Sequence, residues 1–223
     1  MTGERIFEEI YLVGSSELTD PKDCCVYLVG FKSELVLIDS GAGDSISEII
    51  HNIIDLGLDP NQIKKLILTH CHIDHIGGAN QLKNKFGLEI IAHQNAAEIL
   101  LRADPELTAA KWYGMEPEVI VVDQSFDAPE IILEIDAEKL HLIYIPGHSP
   151  DSIAVYLDRK GKRILFGQDV HGPIHPGLGS DHKKYQESLR KLIALKPDIL
   201  CEGHFGIYQP NSAVEKYIRG FLD

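Results

Sequence analysis

Short apolar runs and helically spaced apolar positions alternate along the chain. Ile6–Val13, Cys24–Phe31 and Glu34–Asp39 are rich in Val, Ile and Leu and read as three successive strands. After the break DSGAGD, Asp44–Leu56 carries apolar residues at Ile46, Ile49, Ile50, Ile53 and Ile54, a helical spacing that Gly57 and Pro60 end. Leu66–Leu68 reads as a buried strand, Ala79–Phe86 as a helix closed by Gly87, Glu89–Ala92 as a strand and Asn95–Arg102 as a helix. Residues 103–118, with Trp112, Tyr113 and Met115, form a less regular connection that reads as a surface segment or as a lid over a site. Strands are expected at Val119–Val122, Ile131–Ile135, Leu140–Ile145, Ile153–Leu157, Arg163–Phe166 and Ile199–Cys201, and helices at Lys183–Leu195 and Ala213–Phe221. Both halves combine near-continuous apolar strands with helices, which predicts two sheets packed face to face with helices outside.

Composition narrows the partners more than the fold. The 223 residues show no low-complexity linker and no compositional break, so one domain over 1–223 is expected. At 44% hydrophobic and 25% charged, the chain is an ordinary globular one. A net charge of −13 argues against nucleic acid or an anionic membrane as partner, Lys183-Lys184 being the only hint of a basic patch. No stretch has the length of a membrane span, and MTGERIFEEIYLVG lacks the order of a signal peptide. Cys24, Cys25, Cys71 and Cys201 show neither zinc-knuckle nor disulfide-framework spacing. A cytoplasmic protein acting on a small molecule is the expectation. Oligomeric state is left open, a homodimer being a common arrangement among soluble enzymes.

The densest chemistry lies in residues 69–78, THCHIDHIGG, directly after a predicted strand. His70, His72, Asp74 and His75 supply imidazoles and a carboxylate, the preferred donors of divalent transition metals. Four such groups exceed what one tetrahedral catalytic ion draws from a single loop, and they suit two ions side by side. Gly77-Gly78 is expected to permit the tight entry into the next helix. Two ions need further ligands. His148 in IPGHSPDS, Asp169 in ILFGQD and His204 in DILCEGHFG each follow a predicted strand and lie beside a glycine. Cys71, between two of the histidines, reads as a small buried filler.

With these stretches the chain resembles the metallo-β-lactamase-fold hydrolase superfamily over nearly its whole length, the early LIDSGAGD resembling that superfamily's first motif. The resemblance implies a four-layer αββα sandwich with the site along one edge of the sheets. It also implies His70, His72 and His148 on one metal, Asp74, His75 and His204 on the second, Asp169 bridging, and Asp39 orienting the ligand histidines. Two divalent ions, zinc by default with iron or manganese also suited, would share a water whose hydroxide attacks a carbonyl carbon or a phosphorus. Asp74 would orient that nucleophile or receive its proton.

A bridging Asp169 resembles the glyoxalase II-like and broader hydrolase branch and not the true β-lactamases. The expected substrate is therefore a small ester, thioester, lactone or phosphodiester. Glyoxalase II enzymes carry a C-terminal helical extension, whereas here little follows His204; lactonases place a tyrosine three residues after the aspartate, where this chain has Gly172. The rival enzyme is a mononuclear iron persulfide dioxygenase, with iron on His70, His148 and Asp169. A rival from another class is a metal-stabilised binding protein without turnover. The segment 171–182, HGPIHPGLGSDH, is expected to border the metals, with His171, His175 and His182 as candidate substrate contacts and Tyr208 as another.

Overall fold

The computed structural model describes residues 2–223. The first sheet has seven strands in sequential order: β1 (Glu4–Phe7), β2 (Ile10–Gly14), β3 (Val26–Gly30), β4 (Leu35–Ile38), β5 (Ile63–Ile67), β6 (Glu89–His93) and β7 (Gln124–Phe126). Pairing is antiparallel from β1 to β4 and parallel from β4 to β7. Parallel strands need crossovers. These are α1 (Ile46–Asp55), α2 (Ile73–Ile76) with α3 (Ala79–Phe86), and α4 (Gln94–Arg102) with α5 (Ala110–Tyr113). The second sheet holds β8 (Glu130–Ile135), β9 (Glu138–Tyr144), β10 (Ile153–Arg159), β11 (Lys162–Gln168), β12 (Ile199–Glu202) and β13 (Ile207–Tyr208), antiparallel except for the β11–β12 pair, which α6 (His182–Ala194) connects. The last helix, α7 (Asn211–Arg219), packs beside α6.

Three apolar layers hold these elements. Between the sheets, Tyr27, Val29, Val36, Ile38 and Ile67 meet Leu140, Leu142, Val155, Ile164 and Phe166. The outer face of the first sheet packs Leu28, Leu37 and Leu66 on Ile49 and Ile53 of α1 and Leu82 of α3. On the other side, Tyr156, Leu165 and Leu200 meet Leu189 and Leu192 of α6 and Val214 and Ile218 of α7. The strands are apolar on both faces because both faces are covered. The result is the αββα sandwich expected.

Local differences have local causes. Ile6–Val13 is a hairpin and not one strand, turning at Glu8-Glu9 with Glu9 at φ 51°; no Gly, Asn or Pro marks this turn. Val119–Val122 is not a strand. Ile120 is buried and its amide bonds to Leu100 O, while Val119 and Val121 point outward, and the ladder begins only at Gln124. The two-residue β13 and the one-turn helices α2 and α5 are too short for a periodic pattern.

Gly77-Gly78 works differently from the expectation. Neither residue has positive φ (−58° and −85°). A Cβ on Gly77 would lie 2.0 Å from Ala42 O, and one on Gly78 2.4 Å from Ser40 O. The glycines are needed because the loop after β4 lies against them, and that contact locks the motif onto the neighbouring strand end. Gly77→Ala is expected to cost at least about 2 kcal/mol by forcing the two loops apart. A chemical-denaturation midpoint equal to that of the parent would remove this reading.

Candidate metal centre

All the chemistry gathers where β4, β5, β11 and β12 end. Asp39 follows β4, residues 70–75 follow β5, Asp169 follows β11 and His204 follows β12, while His148 lies in the turn between β9 and β10. Asp39 is held at φ 62° and Gln168, just before Asp169, at φ 53°. Left-handed backbone at non-glycine residues is uncommon and concentrates at functional sites.

Two donor clusters share this edge. His70, His72, His148 and Asp169 form one, all buried, with donor atoms within 4.8 Å of one another. His70 Nε2 and His148 Nε2 lie 3.0 and 3.1 Å from His72 Nδ1. Asp74, His75 and His204 form the other. His204 Nε2 is 3.2 Å and His75 Nε2 3.6 Å from Asp74 Oδ2. Asp169 spans the two, with Oδ2 at 3.4 Å from His148 Nε2 and Oδ1 at 3.2 and 3.5 Å from His75 and His204 Nε2.

The rest of the shell aims these atoms. Asp39 Oδ2 accepts from His75 Nδ1 at 2.8 Å, leaving Nε2 to face the cluster, and its two oxygens also accept from the Thr69 amide and hydroxyl at 2.8 Å. His148 Nδ1 donates to Pro173 O at 2.9 Å, which turns its Nε2 lone pair inward. Gly203 leaves no room for a Cβ, which would fall 2.3 Å from Asp169 Oδ1, so His204 can approach the carboxylate closely.

A metal fits this donor set. His75 Nε2 and Asp169 Oδ1, which face each other across the clusters, are buried atoms without a hydrogen-bond partner, an arrangement that a cation relieves and that is otherwise costly. Electrostatics separate the clusters. Burial, helped by neighbouring histidines, pushes His70 well below its ordinary value, takes His72 to about 3 and lowers His148 as well, so all three are neutral lone-pair donors. Burial also opposes charge on His204 and His75. For His204, Asp169 and Asp74 outweigh it and hold the imidazole at about 10; for His75, Cys24, Asp169, Asp39 and Asp74 hold it well above its ordinary value. Loading the second cluster therefore releases protons. Asp169 stays well below the usual carboxylate range, because His75 and His204 overcome the burial that would raise it.

Above the donor clusters opens a cleft of about 300 Å³. Its floor includes His72, Asp74, Asp169 and His204, and its rim carries Trp112, Tyr113, His171 and Phe205. From the segment 103–118, Ala109, Trp112 and Tyr113 line this cleft. Tyr113 faces Asp74, and burial together with that carboxylate holds its phenol protonated. Cys71 is buried, its thiol donating to Leu107 O and to Asp151.

The segment 171–182 contributes less to the cleft than expected. His171 lines it, 4.6 Å edge-on to Phe205. His175 stands behind Trp112 at 5.1 Å with Nδ1 accepting from the Gly177 amide. His182 opens α6 in solvent beside Asp223, and Tyr208 stacks on Tyr217; neither lines the cleft. The segment instead supports His148, through Pro173 O and through the Ser180 hydroxyl donating to His148 O.

Glu202 was not singled out from sequence, yet it organises the second cluster. It is fully buried and accepts from the amides of His204 and Phe205 (2.7 and 2.8 Å) and from His171 Nδ1 (2.8 Å). Its one trace in the sequence is a carboxylate ending the apolar run ILC.

A layered αββα sandwich whose sheet edge presents two His/Asp donor clusters joined by one carboxylate defines a metal-dependent hydrolase. The chain belongs to the metallo-beta-lactamase superfamily, whose family pattern matches residues 19–204. It is 29% identical over 192 residues to the hydroxyacylglutathione hydrolase GloC of Haemophilus influenzae, covering 82% of this chain and 85% of that protein. An atrochrysone carboxyl ACP thioesterase of Aspergillus fumigatus is 27% identical over 188 residues, 82% of this chain and 51% of that one. The subclass B3 metallo-beta-lactamase BJP-1 of Bradyrhizobium japonicum superposes with a TM-score of 0.79 at 21% identity, covering 99% of this chain and 90% of that chain, a likeness of fold.

Proposed function

We propose that this metallohydrolase works with two divalent ions, held by His70, His72 and His148 on one side and by Asp74, His75 and His204 on the other, and that it cleaves a small ester, thioester, lactone or phosphodiester. The observation that carries the reading is Asp169, whose two oxygens face the two clusters separately. Ions bound there would polarise the scissile group and bring the pKa of an attacking water towards neutrality. The protein's own groups do the remaining work. Asp74, ionised because His75 and His204 outweigh the effect of its burial, is placed on the cleft floor to accept a proton from the attacking water. Tyr113, across the cleft from it, offers a neutral hydroxyl to an oxygen that gains charge. Zinc is the metal proposed, since its borderline character suits a five-histidine, two-aspartate set. The GloC and thioesterase relatives support thioesters as the first class to assay.

Metal analysis of purified protein is expected to find about two ions per chain. A panel of esters, thioesters, lactones and phosphodiesters, run on zinc-, iron- and manganese-loaded protein, is expected to show turnover that a chelator abolishes. One iron per chain with oxygen uptake on glutathione persulfide would establish the dioxygenase instead. Metal binding with no turnover on any substrate would establish a binding protein.

A further inference from the structure

The cleft is chemically lopsided in a way that metal ligation does not explain. Its floor is histidine and carboxylate, whereas its walls are largely apolar, with Trp112 and Phe205 at the opening, Ala109, Pro173 and Leu178 beside them, and Ser16, Tyr113 and His171 as their uncharged or imidazole polar groups. Trp112 is 54% and Phe205 62% exposed, although ample buried core exists for both types of side chain. Neither aromatic is idle scaffolding: His175 supports the edge of Trp112, and His171 supports Phe205. Rings braced from behind and open in front offer contact area at little cost in conformational freedom.

Charge gives an independent constraint. No Lys or Arg is among the described residues lining the cleft. The cation nearest in sequence to the rim, Lys111, is paired with Glu106. The chain as a whole carries −13. A substrate with carboxylates remote from its reacting bond, as in a glutathione thioester, would enter with no basic side chain to receive them. Recognition of carboxylates ordinarily uses Arg or Lys, and a metal centre neutralises charge only at the bond being cleaved.

Resting on the hydrolase reading above, we infer that the substrate is an uncharged ester or thioester whose apolar, ring-bearing acyl group packs between Trp112 and Phe205, and that glutathione conjugates are poor substrates. The 300 Å³ of the cleft suits an acyl group of modest size, about ten water volumes at roughly 30 Å³ each.

Trp112 is the only tryptophan in the sequence, so its fluorescence reports on this wall without requiring catalysis. Titrating the metal-loaded protein with 4-phenylbutyramide is expected to shift and saturate that emission, and S-methylglutathione is expected to leave it unchanged. Phe205→Ala, which keeps the tryptophan, should weaken the amide about tenfold. In steady-state assays the phenylacetyl thioester of N-acetylcysteamine should exceed S-lactoylglutathione at least tenfold in kcat/KM. Trp112→Ala and Phe205→Ala should each raise KM for the neutral thioester more than they lower kcat. A fluorescence response to S-methylglutathione but not to the amide, or S-lactoylglutathione as the better substrate, overturns the inference. An amide response that Phe205→Ala weakens, in metal-loaded protein that turns over no member of the ester, thioester, lactone and phosphodiester panel, supports the apolar wall while removing the hydrolase reading.

Discussion

Asp169→Ala is expected to lower kcat by about 10³-fold or more, equivalent to roughly 4 kcal/mol of lost transition-state stabilisation. The carboxylate faces His148 with one oxygen and His75 and His204 with the other, at 3.2–3.5 Å. Truncation therefore removes a donor from both clusters at once. It also leaves His75 and His204 with less of the negative charge that offsets their burial. Metal content should fall from about two ions towards one, read by elemental analysis of the same preparation used for kinetics. Alanine is smaller than aspartate and fits the same position, so the far-ultraviolet spectrum should not change. Full turnover by the variant would remove the bridging role.

Glu202→Ala is expected to be the most damaging substitution for stability, at about 3–5 kcal/mol. Glu202 is completely buried, and its carboxylate accepts two backbone amides and a histidine ring. Alanine leaves those donors without their buried partner, each costing about 1–3 kcal/mol. For a chain of this length, 1 kcal/mol moves the melting temperature by about 2–4 °C, so a drop on the order of 10 °C is expected by calorimetry. Glu202→Gln keeps the shape and one acceptor oxygen and should lose about half as much. Since the two amides belong to His204 and Phe205, the alanine variant should also bind its second ion more weakly. Equal melting temperatures for parent and alanine variant would show that the loop after β12 holds itself.

The candidate metal donors were legible because ligand chemistry is local. A histidine or aspartate just past an apolar run announces itself in a single sequence, as at His70, Asp169 and His204. Glu202 carries the same signal more faintly, since a carboxylate at a strand end is ordinarily solvated. Its burial follows from the chain turning back through β13, an element of two residues. The segment 171–182 misled for the opposite reason. Its three histidines suggest chemistry, but only His171 reaches the cleft: His175 stands beside Trp112, caps the Pro176–Leu178 3-10 turn and does not line the cleft, and His182 opens α6 in solvent.

The same division runs through the fold. Periodicity of apolar residues determined α1, α3, α4 and α6 and most strands, because a side chain's preference for the interior repeats at the period of its element. It failed at Glu8-Glu9 and at Val119–Val122. There a turn and an outward-facing stretch are decided by neighbours across the hairpin and by α4.

By itself the sequence determined the layers, the family and the candidate metal donors, since each depends on residue type and short-range spacing. Only the tertiary structure decided that Gly77 and Gly78 are needed for a close approach and not for φ. It alone placed one carboxylate, Asp169, against both clusters and assembled Trp112 and Phe205 into a cationless wall. Those features join positions from about twenty to nearly a hundred residues apart, and no local pattern encodes a contact whose partner lies on another strand.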